Sequence, residues 1–407
     1  MFTVSREARR AFFQIYLPSL LMALGVGMIV PAVPLLGKTF SVSIGFAAQV
    51  VTAQVVGRAL SLIPAGILID RIGLRLGMII GASVGLISAV MTAFAPDFWM
   101  ILLAQLLWGF GFTMWKLGRE LAAIDVVKIE QRGRLISALF GIQSTGEALG
   151  PAMGGIILDT LGFRSLFLIF AVIVVVVLAI STTIRETERL PYRPRGSILG
   201  FARLSQIEPY FRVTYVVLMI ATFSAMLRSE VLKSMLPLYA VNELGYSATN
   251  VGFLFFVVGI VTFAMIVPAG FISDKLGRKW ATAPPALIAG IAFIAYPLVK
   301  DMPGMLVLSV MQGIANGMAL GSMTIYTYDI VPHQSRAQLQ AMRRTIGELG
   351  SFTGPMLGGV IANAFGAGIT FLFFAPLHLL SAFLLSVVGK ESLPRRRQSE
   401  ASNSEPS

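Results

Sequence analysis

The sequence predicts an all-α integral membrane protein: twelve transmembrane helices in two pseudo-symmetric six-helix bundles. Three observations carry that reading. The 407 residues are 56% hydrophobic and 13% charged, with a mean hydropathy of +0.80; soluble domains run roughly 45–50% apolar and about 25% charged. Apolar stretches recur along the chain, and twelve spans of about 20–22 residues use roughly 250 of its residues. The chain also matches itself at a fixed offset of 204 residues.

In order, the spans fall near 11–37, 45–69, 77–95, 99–124, 134–158 and 165–184, then near 210–240, 248–272, 280–299, 304–328, 337–362 and 369–389. The first apolar stretch is too long for a signal-peptide core and lacks a small-residue cleavage site, so it reads as a true span. Residues 1–185 form the first bundle and 209–390 the second. Between them, 186–208 are charged and carry Pro191 and Pro194, which reads as a cytoplasmic linker with a short interfacial helix near 197–204. Residues 391–407 are rich in Ser, Glu and Arg and read as a disordered tail.

The formal charge of +12 invites a nucleic-acid reading, but the charges sort by side. With the N-terminus on the inside, the inner segments carry 22 of the 32 Lys and Arg, and the outer loops only Lys38, Arg164 and Lys300. This is the positive-inside pattern, and it places both termini in the cytoplasm of a plasma or bacterial inner membrane. No nucleic-acid partner is needed. Cysteine is absent and only His333 and His378 supply imidazoles, so neither a disulfide framework nor a multi-histidine metal centre is expected. No G-x-x-x-x-G-K-[ST] loop is present, so ATP is not the expected drive, and the reading includes no cofactor.

The offset of 204 aligns Pro64, Ala65 and Gly66 with Pro268, Ala269 and Gly270, Asp70 with Asp274, Asp125 with Asp329, and Gly150 and Pro151 with Gly354 and Pro355. An even number of spans per copy inserts both copies the same way, so the repeat is parallel about an axis along the membrane normal. A duplicated bundle could be a receptor or scaffold. With a site on the shared axis it is more often a rocking carrier.

The loop between the second and third spans reads GILIDRIGLR at 66–75, and its copy at 270–279 reads GFISDKLGRK. Both resemble the signature loop of the major facilitator superfamily, G-x-L-x-D-R-x-G-R-K, through Gly66, Asp70, Arg71, Gly73 and Arg75 and through Gly270, Asp274, Lys275, Gly277, Arg278 and Lys279. Leu74 departs from the pattern, where the family prefers arginine. The resemblance implies a gate latch, in which the aspartate accepts from a helix N-terminus of the opposite bundle. A plain basic loop fixing topology is the alternative. In the fifth span, Gly146, Gly150, Pro151, Gly154 and Gly155 resemble the family's antiporter motif, G-x-x-x-G-P-x-x-G-G, and Gly350, Gly354, Pro355, Gly358 and Gly359 repeat it. That resemblance implies export by a drug or metabolite antiporter; close helix packing alone would also explain the pattern. The fourth span departs from the family's proton-antiporter pattern R-x-x-Q-G, with Gln105 and Trp108 in place of the arginine and glutamine.

Charges inside a bilayer are costly and mark function or pairing. Gln105, Phe112, Lys116, Arg119 and Glu120 follow helical spacing along one face of the fourth span, which the family resemblance places on the central cavity. Arg58, Arg228 and Lys233 join them as substrate-binding candidates, with Trp108 as a stacking face and Asn316 on the tenth span. Their positive surplus favours an anionic group on the substrate; full internal pairing with a neutral substrate is the alternative. Glu230 is the first proton-coupling candidate and Glu147 the second. Arg344 and Glu348 stand four apart and suit a structural or gating pair, and His378 suits packing. The resulting expectation is a secondary transporter of a small organic solute, acting as a functional monomer by alternating access and exporting it. Import or uniport of organic anions on the same scaffold, or a non-transporting receptor, are the alternatives. No catalytic constellation points to an enzyme.

Overall fold

The computed structural model describes residues 12–126, 132–184, 204–319, 321–332 and 334–393. His333, the charged part of the linker at 185–203 and the tail from 394 lie outside them. Among the described residues the secondary structure is helical throughout.

Each predicted span is a helix, and the sequence explains where each one ends. The first runs through Leu17–Ile29 and Val33–Thr39, offset at Val30–Ala32 where Pro31 and Pro34 each lack a backbone donor. The second and third are Ile44–Ile72 and Leu74–Ala93, split by Gly73 at φ 89°; the eighth and ninth, Ala248–Lys275 and Arg278–Ala295, are split by Gly277 at φ 121°. The fifth and sixth spans form one element, Arg132–Thr182, broken at Gly162 (φ 79°), and the eleventh and twelfth, Arg336–Phe365 and Ala367–Phe383, meet at Gly366 (φ 94°). These angles suit glycine, which has no Cβ to clash. Gly73 and Gly162 lie 204 residues before Gly277 and Gly366, so the duplication extends to the backbone turns.

The helix starts repeat in the same way. Ser43 and Ser247 accept from the amides of Phe46 and Asn250 at the heads of the second and eighth spans. Asp97 and Asp301 accept from Met100 and Gly304 at the heads of the fourth, Phe98–Val126, and the tenth, Met302–Ala319 continued by Ser322–Ile330. Each satisfies a donor that an α-helix leaves unpaired at its first turn. The seventh span is Pro209–Asn242.

Among the described residues ten segments are long and apolar enough to cross a membrane. One of them, 42 residues over Gly141–Thr182, holds two crossings at the Gly162 break. The eleventh span, Arg336–Phe365, has the length but, rich in Gly, Ser and Thr, is too weakly apolar to be among the ten. The result is a multi-pass integral membrane protein of two six-helix halves. Large apolar side chains such as Trp99, Val267 and Leu298 point outward, as a lipid-facing belt requires.

By contacts the chain divides into two units that cut across the halves: Met1–Arg193 with Lys233–Gly259 and Gly358–Ala367, and Pro194–Leu232 with Ile260–Leu357 and Gly368–Ser407. The first unit is built on an apolar core around Met28, Met78, Trp115, Phe167 and Phe170. The second is built around Tyr215, Leu218, Tyr326 and Leu339. Glu391, counted with the disordered tail, accepts from the amides of Arg278 and Lys279 and so caps the ninth span, and Ser392 donates to Asp329.

Candidate functional site

A cavity opens among the first, fourth and fifth spans, and Phe112, Lys116, Arg119, Gln143 and Glu147 line it. Phe112, Lys116 and Arg119 reach it together because positions i, i+4 and i+7 share a helix face. Arg119 is buried; it lies 3.3 Å from the Glu120 carboxylate and 5.5 Å from the centroid of the Trp115 ring. Glu147 is exposed and accepts from the Gln143 amide at 2.8 Å. Two cations thus share one cavity with a carboxylate. Arg119, noted in the sequence only as part of the stripe, belongs in this wall.

The upper part of the same stripe is structural. Gln105 is buried, accepting from Gln54 at 2.7 Å and donating to Thr92 at 3.2 Å. Trp108, expected to offer a stacking face to substrate, is buried against Phe112 and Phe170 with centroids 5.5 and 4.9 Å away. Of this stripe, the turns carrying Phe112, Lys116 and Arg119 line the cavity. Arg58, Lys233 and Asn316 are half-buried and Glu230 is buried.

In the second half, a separate cavity among the seventh, ninth, tenth and twelfth spans is lined by Ser224, Arg228, His378 and Ser381 among small residues. Arg228 is buried and donates to Gln312 at 2.9 Å. His378, expected as a satisfied packing residue, shares a hydrogen bond with Ser224 through Nδ1 while Nε2 is left without a partner. Arg344 and Glu348 form no ion pair among the described residues, contrary to their spacing. The neighbouring Arg343 is the one turned inward, donating to Gln340, Thr222 and Thr324.

The two signature loops differ. In the second copy the Arg278 guanidinium is buried and bonds Asp329 at 2.7 Å, Asp274 at 2.8 Å and Ser273. Lys279 donates to the Ser386 carbonyl and Lys275 sits 4.3 Å over the Phe271 ring. In the first copy the equivalent of Arg278 is Leu74, which is buried in the apolar core, and Asp70, Arg71 and Arg75 are exposed. Asp70 accepts from no helix N-terminus among the described residues.

The glycine motifs pack helix backbones together. A Cβ on Gly146, Gly150 or Gly154 would fall 2.5 Å or less from atoms of Ala23, Leu24 or Met28 on the first span. One on Gly155 would meet the Ala248 carbonyl at 2.3 Å, and one on Gly252 the Pro151 carbonyl at 2.2 Å, so the fifth span also lies against the eighth. Gly350 and Gly354 meet the seventh span at Phe223 and Leu227, and Gly359 meets Gly45 on the second. Gly358 and Pro355 belong to the same stretch of helix.

Beside these contacts stands a pair of clamps that the sequence reading missed. Asp159 accepts from the amides of Ala248 and Thr249, at 3.2 and 2.7 Å, and from the Thr249 hydroxyl at 2.6 Å, at the head of the eighth span. Asn363 accepts from the Gly45 amide at 2.8 Å, at the head of the second. Asp159 and Asn363 are 204 residues apart, as are Gly45 and Thr249. The signal was available in the repeat: an acid and an amide occupy one register position near the end of an otherwise apolar helix.

Two bundles related by duplication, a signature loop in each and polar cavities within the membrane-spanning helices define a class of membrane carrier fold. The sequence profile of the Major Facilitator Superfamily matches residues 15–227 and 218–407, and the chain belongs to that family. Over 338 residues it is 25% identical to the synaptic vesicular amine transporter of Bos taurus, covering 80% of this chain and 63% of that protein. It is 24% identical to the multidrug resistance protein MdtG of Dickeya zeae, covering 78% of each. Among solved structures, a D-xylose-proton symporter superposes with a TM-score of 0.74 at 18% identity, over 93% of this chain and 97% of that one, a likeness of fold.

Proposed function

We propose that the protein is a secondary active transporter that moves a small organic solute across a membrane by alternating access, in the export direction. The pair of clamps carries this reading. Asp159 and Asn363 close one end of the bundle through hydrogen bonds to the heads of two repeat-related helices. Such bonds exchange easily with water, so they hold a gate without welding it. The relatives named for multidrug resistance and for vesicular amine transport support the movement of small organic solutes; in this reading both termini lie on the cytoplasmic side. The charge bias of the inner loops supports the same orientation.

In this reading the cavity of the first half receives the solute, with Lys116 and Arg119 facing its anionic part and Phe112 its apolar part. Arg58 on the second span, Lys233 on the seventh and Asn316 on the tenth remain further substrate-binding candidates. Glu147, exposed beside the cavity, and Glu230, buried in the seventh span, are the proton-coupling candidates; a proton-linked sugar symporter among the fold relatives supports proton drive. The chain acts as a monomer.

The test is uptake into everted membrane vesicles of a panel of labelled organic anions and amines, with and without an imposed proton gradient. Saturable, gradient-driven accumulation that Glu147→Gln or Glu230→Gln uncouples, while counterflow exchange persists, is the expected result. Accumulation only in right-side-out vesicles would reverse the direction. Saturable binding with no flux in proteoliposomes would make the protein a receptor. Preference for amines over anions would remove the role given to Lys116 and Arg119.

A further inference from the structure

The two halves are copies, yet one place in them is built from opposite chemistry. In the first half Trp108, Val174 and Val177 are buried in the apolar core. At the offset of 204 their counterparts are Gln312, His378 and Ser381, and on the seventh span Ser224 and Arg228 bond to His378 and Gln312. All five are polar and all are buried, none more than 5% exposed. Duplication supplied an apolar solution for this site, and the second half does not use it. Burying a guanidinium is costly unless an opposite charge compensates it.

No carboxylate among the described residues lies within ion-pair distance of Arg228. Its hydrogen-bond acceptor is the neutral Gln312 Oε1. Turning that oxygen to Arg228 leaves Gln312 Nε2 as a donor without an acceptor. Ser381 Oγ and His378 Nε2 also lack partners, and His378 and Ser381 line the cavity together with Arg228. Ala286, Ala289, Ala315 and Ala319 keep the space between the helices open. Arg343 is the useful contrast. It is also buried without a carboxylate, but three side-chain oxygens accept from it and no nitrogen is orphaned. The surroundings of Arg228 therefore hold a positive charge and surplus donors around a cavity, and they lack one negative charge with acceptor capacity.

We propose that this cavity inside the second bundle is a binding site for a small singly charged anion, a halide or a carboxylate group, held by Arg228 and Ser381, with Gln312 positioning the guanidinium. It is distinct from the cavity of the first half, and binding there is measured without flux, so this inference and the transport reading stand or fall separately.

The experiment is thermal unfolding of the purified full-length protein in detergent at fixed total salt, with sodium chloride or sodium acetate replacing sodium isethionate. The unfolding midpoint should rise saturably with one or both anions, because a ligand bound only by the native state stabilises it. Arg228→Leu, which removes the charge, should abolish the rise; Ser381→Val, which removes one hydrogen bond, should weaken apparent affinity by about tenfold. A response to chloride alone assigns the site to an inorganic ion, and a response to acetate alone to the carboxylate of an organic solute. No saturable rise with either anion, or an equal rise in Arg228→Leu, overturns the proposal. Should Arg228→Leu not fold, bromide-soaked crystals of the unaltered protein decide: an anomalous peak beside the guanidinium supports the site, and its absence refutes it.

Discussion

Replacing Asp159 with alanine tests the gate directly. The side chain accepts three hydrogen bonds at the head of the eighth span, two from backbone amides and one from the Thr249 hydroxyl. Loss of a helix-capping acceptor costs roughly 0.5–2 kcal/mol. Asp159 is exposed, so water recovers part of what alanine gives up, and about 1–2 kcal/mol is the working figure. If the bonds exist only while this end is closed, the closed state loses a factor of roughly 5–30 in population. The chain has no native cysteine, so Ala148→Cys gives a single labelling site in a buried position where the fifth span meets Gly259 of the eighth. Labelling by a membrane-impermeant maleimide should accelerate by that factor in Asp159→Ala. Asp159→Asn should fall between, since Asn363 performs the same capping with one amide oxygen. An unchanged labelling rate in a folded Asp159→Ala protein would show that the bonds do not hold the gate.

Two further predictions concern packing and charge. Arg278→Leu gives the second signature loop the residue that the first has at position 74; breaking the buried pair with Asp329 should cost about 3–5 kcal/mol, read as a lowered Tm. Adding Asp329→Asn should restore part of it, and an unchanged Tm in the single variant would remove Arg278 from the account of stability. Gly252→Ala places a Cβ 2.2 Å from the Pro151 carbonyl, so the fifth and eighth spans must separate. An overpacking cost of about 1–3 kcal/mol and faster labelling at Ala148→Cys are expected, and normal values for both would show that the helices yield locally.

Spans and turns were legible in the sequence because hydropathy and glycine act locally. The 204-residue offset carried Gly73 to Gly277, and both glycines separate helices in the structure. The site was less legible. Helical spacing put Gln105, Trp108 and Phe112 on one stripe but could not tell which turns meet a cavity and which meet Thr92 or Phe170. Counting charges picked out Arg228 and missed Gln312, because the partner of that guanidinium is a neutral side chain more than eighty residues away. The pairing of Arg344 with Glu348 failed for a related reason. Spacing permits contact along a helix face but does not fix which way either side chain turns. Glu391 looked like tail because its partners, the first amides of the ninth span, exist only once the helices are assembled.

Leu74 and Arg278 set the two ends of the duplication apart in their response to ionic strength. Mobile ions screen exposed charges over about 8–10 Å in physiological buffers but hardly reach a pair withdrawn from water. The Arg278–Asp329 contact, at 1% and 10% side-chain exposure, is of the second kind. The exposed Asp70, Arg71 and Arg75 are of the first. Raising the electrolyte concentration would leave one loop tied to its own bundle and weaken whatever the other attracts, so a salt titration addresses the two ancestral copies one at a time.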